Sequence, residues 1–464
     1  MKGEHHVVHT RRLADWDPED AAAWRAGNHV IARRNLIWAI ATVHVASSIW
    51  YLWSVMVLFM PQSVYGFKPG DKLLLTATAI LVGALARIPY TIAAAKFGGR
   101  NWATFSSAVL LVPTVGTMVL LAHPGLPLWP YLVCAALTGL GGGNYSASLT
   151  TADALYPNRR KGLALGLTGG VADLGAATIQ VVGLLALASA SHAAPYWICA
   201  IYLVLLAVVG VGTALRMDNF FRHVNVADLR SVLRVPDTWV ISLLYMIASG
   251  SFLGFAFAFG QVLQINFIDR GQSHAQAALH AAEIAFVGPM LGSVARVVGG
   301  ALSDHFGGGR VTLGVFGAAT LAGGLLAGAS SHDDLVHGPG GPVSSLTMTC
   351  YIIAFIALFV FCGAGRGSVY KLIPSVLQAR SRTLEISDAE RRNWSDAMTG
   401  ALIALAGTIG ALGAMGTNLA LRQSYASTGT ETPAFVAFLV CYLGATIVTW
   451  ARYLRPHHRT QTPS

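Results

Sequence analysis

Arg87 and Arg296 each lie deep inside a stretch of roughly 20 or more mostly apolar residues, long enough to cross a bilayer. An arginine cannot be neutralised by losing its proton. Placing one near a bilayer centre costs at least a few kcal/mol, so an intramembrane arginine points to function. Neither has an acid close by in its own stretch, and two guanidinium forks offer planar sets of donors suited to an oxyanion. The chemistry they imply is anion binding. Their placement also repeats: Ala86-Arg87-Ile88 through Phe97-Gly98-Gly99 aligns without a gap on Ala295-Arg296-Val297 through Phe306-Gly307-Gly308.

The elements that must hold them follow from composition. Of 464 residues only 11% are charged and 54% are hydrophobic, with a mean hydropathy of +0.56, which describes an all-α polytopic membrane protein. Apolar windows recur near 36–60, 72–95, 102–122, 128–150, 162–188, 195–215, 237–262, 280–303, 310–330, 346–370, 395–420 and 432–452, giving 12 transmembrane helices. Residues 1–35 read as a cytoplasmic N-terminal tail without the apolar core of a signal peptide. Residues 36–216 form a first six-helix bundle, 217–236 a cytoplasmic linker, 237–452 a second six-helix bundle, and 453–464 a cytoplasmic tail.

Of the 31 Lys and Arg, 24 fall in the tails and the loops on their side, whereas the opposite loops hold only Lys68, Lys72, Arg270 and Arg422. The positive-inside rule then puts both termini in the cytoplasm. The net charge of +10 is thus a topology signal and not a nucleic-acid surface. The five cysteines all fall in apolar windows without metal-ligand spacing, so neither a disulfide nor a metal is expected. No Gly-x-x-x-x-Gly-Lys-Ser/Thr loop is present, which disfavours an ATP-driven pump or other enzyme, and no cofactor is expected.

Other parts recur in the two halves. Gly141-Gly142-Gly143-Asn144 is matched by Gly363-Ala364-Gly365-Arg366, and Gly169 to Gly175 by Gly407 to Gly413. This resembles the parallel six-plus-six duplication of the major facilitator superfamily, which implies a site near the midplane between the halves. The loop Gly300 to Arg310 resembles that superfamily's inner-loop signature, which makes Asp304 and Arg310 conformational gate residues.

The ordered set Gly141-Gly142-Gly143-Asn144-Tyr145-Ser146-Ala147-Ser148, Tyr156-Pro157-Asn158, Gly162 to Leu167 and Asp173-Leu174-Gly175 resembles the signature region of the nitrate/nitrite porter family. Further matches are Arg87-Ile88-Pro89-Tyr90, Leu244-Tyr245, Gly299 to Asp304 and Gly367-Ser368-Val369-Tyr370. The resemblance implies a secondary carrier of nitrate, nitrite or both in the bacterial cytoplasmic membrane, working as a monomer by alternating access. Arg87 and Arg296 would clamp the anion, and Tyr145 and Tyr245 would pack against it. Glycines, Gly166 and Gly407 among them, would narrow the cavity around a small solute.

The chain departs from the family at Thr168 and Asp173 in the fifth span and at Arg366 in the tenth, where asparagines are usual, and at Ser249, where an aromatic is usual. With Asn144, the residues Thr168, Asp173 and Arg366 are candidates for selectivity or coupling. Asp173 and Arg366 could compensate each other. If Asp173 instead faces Arg296, its protonation would free the arginine for substrate and give proton-coupled uptake; without such an acid, two bare arginines favour exchange of anions. Arg366, only eight residues before Pro374, is expected to snorkel to the inner interface in preference to touching substrate. His44 is expected to be a hydrogen-bonded packing residue. The competing functions are a carrier for another small anion and a transport-inactive sensor with the same fold.

Overall fold

The computed structural model describes residues 16–190, 194–220, 230–339, 341 and 343–455. Residues 1–15 and 456–464 of the expected tails and 221–229 of the expected linker lie outside the described residues. Among those described, the chain is helical and arranged as two six-helix bundles. The first contains α1 (Ala21–Trp50 continued by Leu52–Phe59, with a bend of 41°), α2 (Pro69–Phe97), α3 (Gly99–Ala122), α4 (Leu128–Leu155), α5 (Asn158–Ala190) and α6 (Ala194–Arg216). The second contains α7 (Pro236–Asp269), α8 (His274–Phe306), α9 (Gly308–His337), α10 (Ser345–Ser381), α11 (Asp388–Thr428) and α12 (Thr432–Leu454).

Local chemistry explains where the helices begin and end. Ser273 with Gln276, and Ser387 with Glu390, close capping boxes at the starts of α8 and α11, satisfying donors that a first turn leaves free. Pro69 and Pro236 sit in the first turns of α2 and α7, where a missing N–H costs nothing. The repeated Phe-Gly-Gly motif ends α2 and α8 at Gly98 and Gly307, with φ of 88° and 85°. Side chains avoid that region, and at Gly98 a Cβ would also collide with Asn219.

Eleven of the helices, counting bent α1 as one, are long and apolar enough to cross a membrane. The helix α4 is also long enough at 28 residues, but its run Gly141 to Ser148 lowers its apolarity. It tolerates that run because it lies inside the bundle. Gly141 is pressed to the Ala46 carbonyl of α1 and Gly143 to the Tyr90 ring of α2. In the second bundle Gly363 and Gly367 press α10 onto the backbone of α8 at Gly292 and Arg296, so the repeated glycines do the same packing work in both halves. Leu321, Val204 and Val440, more than half exposed, are among the side chains left on the outside of the bundles for lipid.

Two boundaries differ from the sequence reading. The polar N-terminal stretch is not all tail: helix begins at Ala21, capped by the Asp20 carboxylate, and buried Trp24 packs edge-on to Tyr156. Lys72, expected in a loop, lies in the first turn of α2 and is 7% exposed.

The bundles meet firmly at the end that the charge distribution assigns to the outside. Trp50 and Tyr51 of α1 pack on Phe257 of α7 with ring centroids 5.7 and 4.5 Å apart. Around this plug, Gln180 Nε2 donates to the Ala256 carbonyl at 2.9 Å, Gln261 Nε2 to that of Pro69 at 2.8 Å and Gln264 Nε2 to that of Leu58 at 2.9 Å. At the other end, ion pairs among the described residues join Arg34 with Asp218, Lys371 with Asp304 and Arg452 with Asp237, each within one half. Aromatic contacts and side-chain hydrogen bonds thus close the bundles against each other on the outer side.

Candidate substrate-binding site

The two repeated arginines converge on one ring. Arg87, from the middle of α2, places its Cζ 4.8 Å from the centroid of Tyr145 on α4, and Arg296, from α8, places its own 5.9 Å from the same centroid. Both distances are within cation–π reach. Trp50 lies 5.6 Å from Arg87 and Tyr370 5.6 Å from Arg296, so aromatic faces line both guanidinium groups. Tyr245 is next to this wall, stacked on Tyr370 at 4.4 Å and 7°, and α11 packs on it at Gly410.

Arg87 Nη1 donates across the bundle boundary to the Gly407 carbonyl at 2.8 Å. A Cβ at Gly407 would stand 3.4 Å from that nitrogen, so the glycine keeps the contact open. Asp173, on α5, accepts from Arg296 Nη1 at 2.5 Å through Oδ2 and from Arg366 Nη2 at 3.0 Å through Oδ1. Both alternatives read from the sequence therefore hold together: Asp173 faces Arg296 and also pairs with Arg366.

Arg366 does not snorkel to the inner interface. It is 1% exposed, with Cζ 4.6 Å from the Phe252 ring. Its distance from Pro374 misled, because α10 runs through that proline to Ser381 and Arg366 sits a further two turns from the helix end.

The other candidates divide. Thr168 donates to the Ala164 carbonyl of its own helix at 2.8 Å. Asn144 turns toward α3, accepting from Ser106 Oγ at 2.8 Å. Gly166 faces open space, whereas Gly169, one turn along, is against Tyr145 Oη and Arg296, at 3.2 and 3.5 Å from its notional Cβ. His44 Nδ1 is 2.8 Å from the Val171 carbonyl, a packing contact. Asp304 reaches Lys371 Nζ at 2.7 Å, and Arg310 stands exposed at the start of α9. Gly169 is among the glycines expected to narrow the cavity, whereas Trp50 and Tyr370 have no site role in the sequence reading; Tyr370 belongs to a quoted motif one turn beyond Arg366, which is its only signal.

Several buried donors here have no protein partner among the described residues: Arg87 Nε, Tyr145 Oη, and Arg366 Nε and Nη1. Buried polar groups are nearly always satisfied. With three arginines and one aspartate, the group carries two net positive charges and spare donors, which is an electrostatic setting for a small anion.

A model of the Major Facilitator Superfamily matches residues 38–414, and the nitrate/nitrite transporter NarU of Escherichia coli (strain K12) is 30% identical over 96% of each chain. The chain belongs to the nitrate/nitrite porter family of the major facilitator superfamily. The probable nitrate/nitrite antiporter NarK2 of Thermus thermophilus is 26% identical over 96% of each chain, and the nitrite extrusion protein of Bacillus subtilis (strain 168) is 24% identical over 89% of this chain and 93% of that one. Two solved structures share the fold: the peptide transporter POT in complex with sulfate, with a TM-score of 0.62, 15% identity and coverage of 94% of this chain and 99% of that one, and the nucleoside transporter NupG, with 0.56, 13% and coverage of 91% and 98%. As a family member the protein is a multi-pass membrane transporter and not an enzyme.

Proposed function

We propose that this transporter carries nitrate and nitrite across the bacterial cytoplasmic membrane by alternating access, as a monomer with both termini inside. The observation that carries the reading is the convergence of Arg87 and Arg296 on Tyr145, with unpartnered donors beside it. A planar oxyanion between the forks would accept charge-assisted hydrogen bonds from both bundles, roughly twice as strong as neutral ones. It would lie against the Tyr145 ring and take the free donors of Tyr145 Oη and Arg87 Nε. Because the arginines belong to different bundles, a bound anion draws the halves together, stabilising the occluded state from which either side can open.

The narrowness of the site argues for a small solute. Gly169 and Gly407 bring backbone close against the two arginines, which favours a small anion over a large one. Proteoliposomes containing the purified protein and offered labelled nitrate, nitrite, chlorate, formate and sulfate test the reading. Nitrate and nitrite are expected to move; movement of formate or sulfate without nitrate would replace it with a carrier for another anion, and binding of nitrate without flux would replace it with a sensor.

A further inference from the structure

Asp173 belongs to the first bundle, and the two guanidinium groups it touches belong to the second. Its oxygens accept from Arg296 Nη1 at 2.5 Å and from Arg366 Nη2 at 3.0 Å, and it is 4% exposed. Arginine nitrogens only donate, so with both contacts made neither oxygen has a place for a proton facing its partner. The relation of Asp173 to Arg296 is the one a clamped oxyanion would have: a planar, delocalised negative group reaching across the bundle boundary to the same fork. Arg366 is fully enclosed against Phe252 and holds the other oxygen of Asp173. Arg87, meanwhile, has a protein acceptor of its own in the Gly407 carbonyl.

We propose that Asp173 is a tethered stand-in for the transported anion: it takes Arg296 when substrate leaves, so the carrier can close and return without cargo, and transport is not restricted to one-for-one exchange. This deepens the nitrate and nitrite reading and rests on it. The reason is the cost of enclosing a guanidinium with no acceptor. A site of bare arginines resists closing when empty, and only a group that stabilises the occluded state shifts the population toward it. Asp173 supplies that group from within the chain. The same contact makes it a competitor of substrate for Arg296, so it weakens substrate binding while freeing the return step.

The test uses the full-length protein in proteoliposomes held at zero membrane potential and equal pH, with labelled nitrate outside and either nitrite or anion-impermeant buffer inside. The wild type is expected to take up nitrate in both cases. The double variant Asp173→Asn with Arg366→Asn leaves net charge unchanged and strands no charge at Arg366, while it takes from Arg296 the carboxylate that Asp173 supplies. It is expected to lower the ratio of net uptake to exchange by roughly tenfold or more, and to lower the half-saturating nitrate concentration. Wild-type uptake that occurs only against internal nitrite overturns the proposal whether or not the double variant folds, and so does a double variant with an unchanged ratio. Net uptake that requires an inward proton gradient, and loses that requirement in the double variant, also overturns it, because Asp173 would then carry a proton in place of standing in for the anion. Absence of nitrate for nitrite exchange in the wild type is a distinct result and refutes the substrate reading itself.

Discussion

Asp173 and Arg296 are joined by a 2.5 Å hydrogen-bonded ion pair that spans the two bundles, and Arg366 holds the other oxygen of the same carboxylate at 3.0 Å. A buried charge left without its partner is far more costly than a pair removed whole, by about 3–5 kcal/mol. Asp173→Ala, which strands both Arg296 and Arg366, is therefore expected to lower the melting temperature of the purified protein clearly. The double variant Asp173→Asn with Arg366→Asn, which strands only Arg296, should recover part of that loss. Thermal melts in detergent decide it: a single variant as stable as the double would mean that the carboxylate does not hold Arg366.

Arg87 and Arg296 act through shape as well as charge. Arg87 already spends one nitrogen on the Gly407 carbonyl and has others to offer, which a lysine does not. A lysine point charge lacks the planar fork that can meet a planar anion bidentately while another nitrogen stays on the Gly407 carbonyl. Arg87→Lys and Arg296→Lys are each expected to cut transport to background while the protein still assembles in the membrane. Full uptake by either variant would remove the clamp.

Tyr145 has two functions that substitution can separate. Its ring faces both guanidinium groups, and its hydroxyl is buried without a protein partner. A hydrogen bond to a charged group contributes about 1.5–3 kcal/mol, so Tyr145→Phe should raise half-saturating nitrate by roughly tenfold or more. Tyr145→Ala should do worse, since the face against which the arginines stand is lost with it. Unaltered kinetics in Tyr145→Phe would show that the hydroxyl does not reach the anion.

Away from the site, Glu431 lies in the turn before α12, 5% exposed. Burial raises its pKa, an effect only partly offset by the hydrogen bond that Asn266 Nδ2 donates to its Oε1 at 3.2 Å. The native state thus keeps this proton to higher pH than the unfolded chain does. The resulting stability is present below the unfolded value, about 4.3 for glutamate, and is lost as pH rises through the raised folded value. Glu431→Gln, which can still accept from Asn266, should raise the melting temperature at neutral and alkaline pH and leave it nearly unchanged near the unfolded value. An equal shift at every pH would assign the effect to packing.

Much of this architecture could be read from residues alone, because the repeated parts obey strong local rules. The Phe-Gly-Gly turns need a glycine at Gly98 and Gly307, and an arginine ten residues before each must then lie at the same depth in both bundles. Depth was legible and direction was not. Asn144 and Tyr145 are neighbours in sequence, yet one turns to Ser106 and the other to the arginines, a choice made by helix rotation that a single glycine-rich stretch does not reveal. Arg366 was misplaced because Pro374 was taken for the end of a helix that continues to Ser381. The threefold contact of Asp173, Arg296 and Arg366 joins α5, α8 and α10, and nothing in the spacing of three separate helices could specify it.

The most direct test of the central claim is counterflow. Proteoliposomes loaded with nitrite and diluted into a trace of labelled nitrate should accumulate label transiently above its external concentration with the wild-type protein, and not with Arg87→Lys. Equal accumulation by the two proteins would contradict an anion held between Arg87 and Arg296, and no accumulation by the wild type would contradict nitrate and nitrite as its cargo.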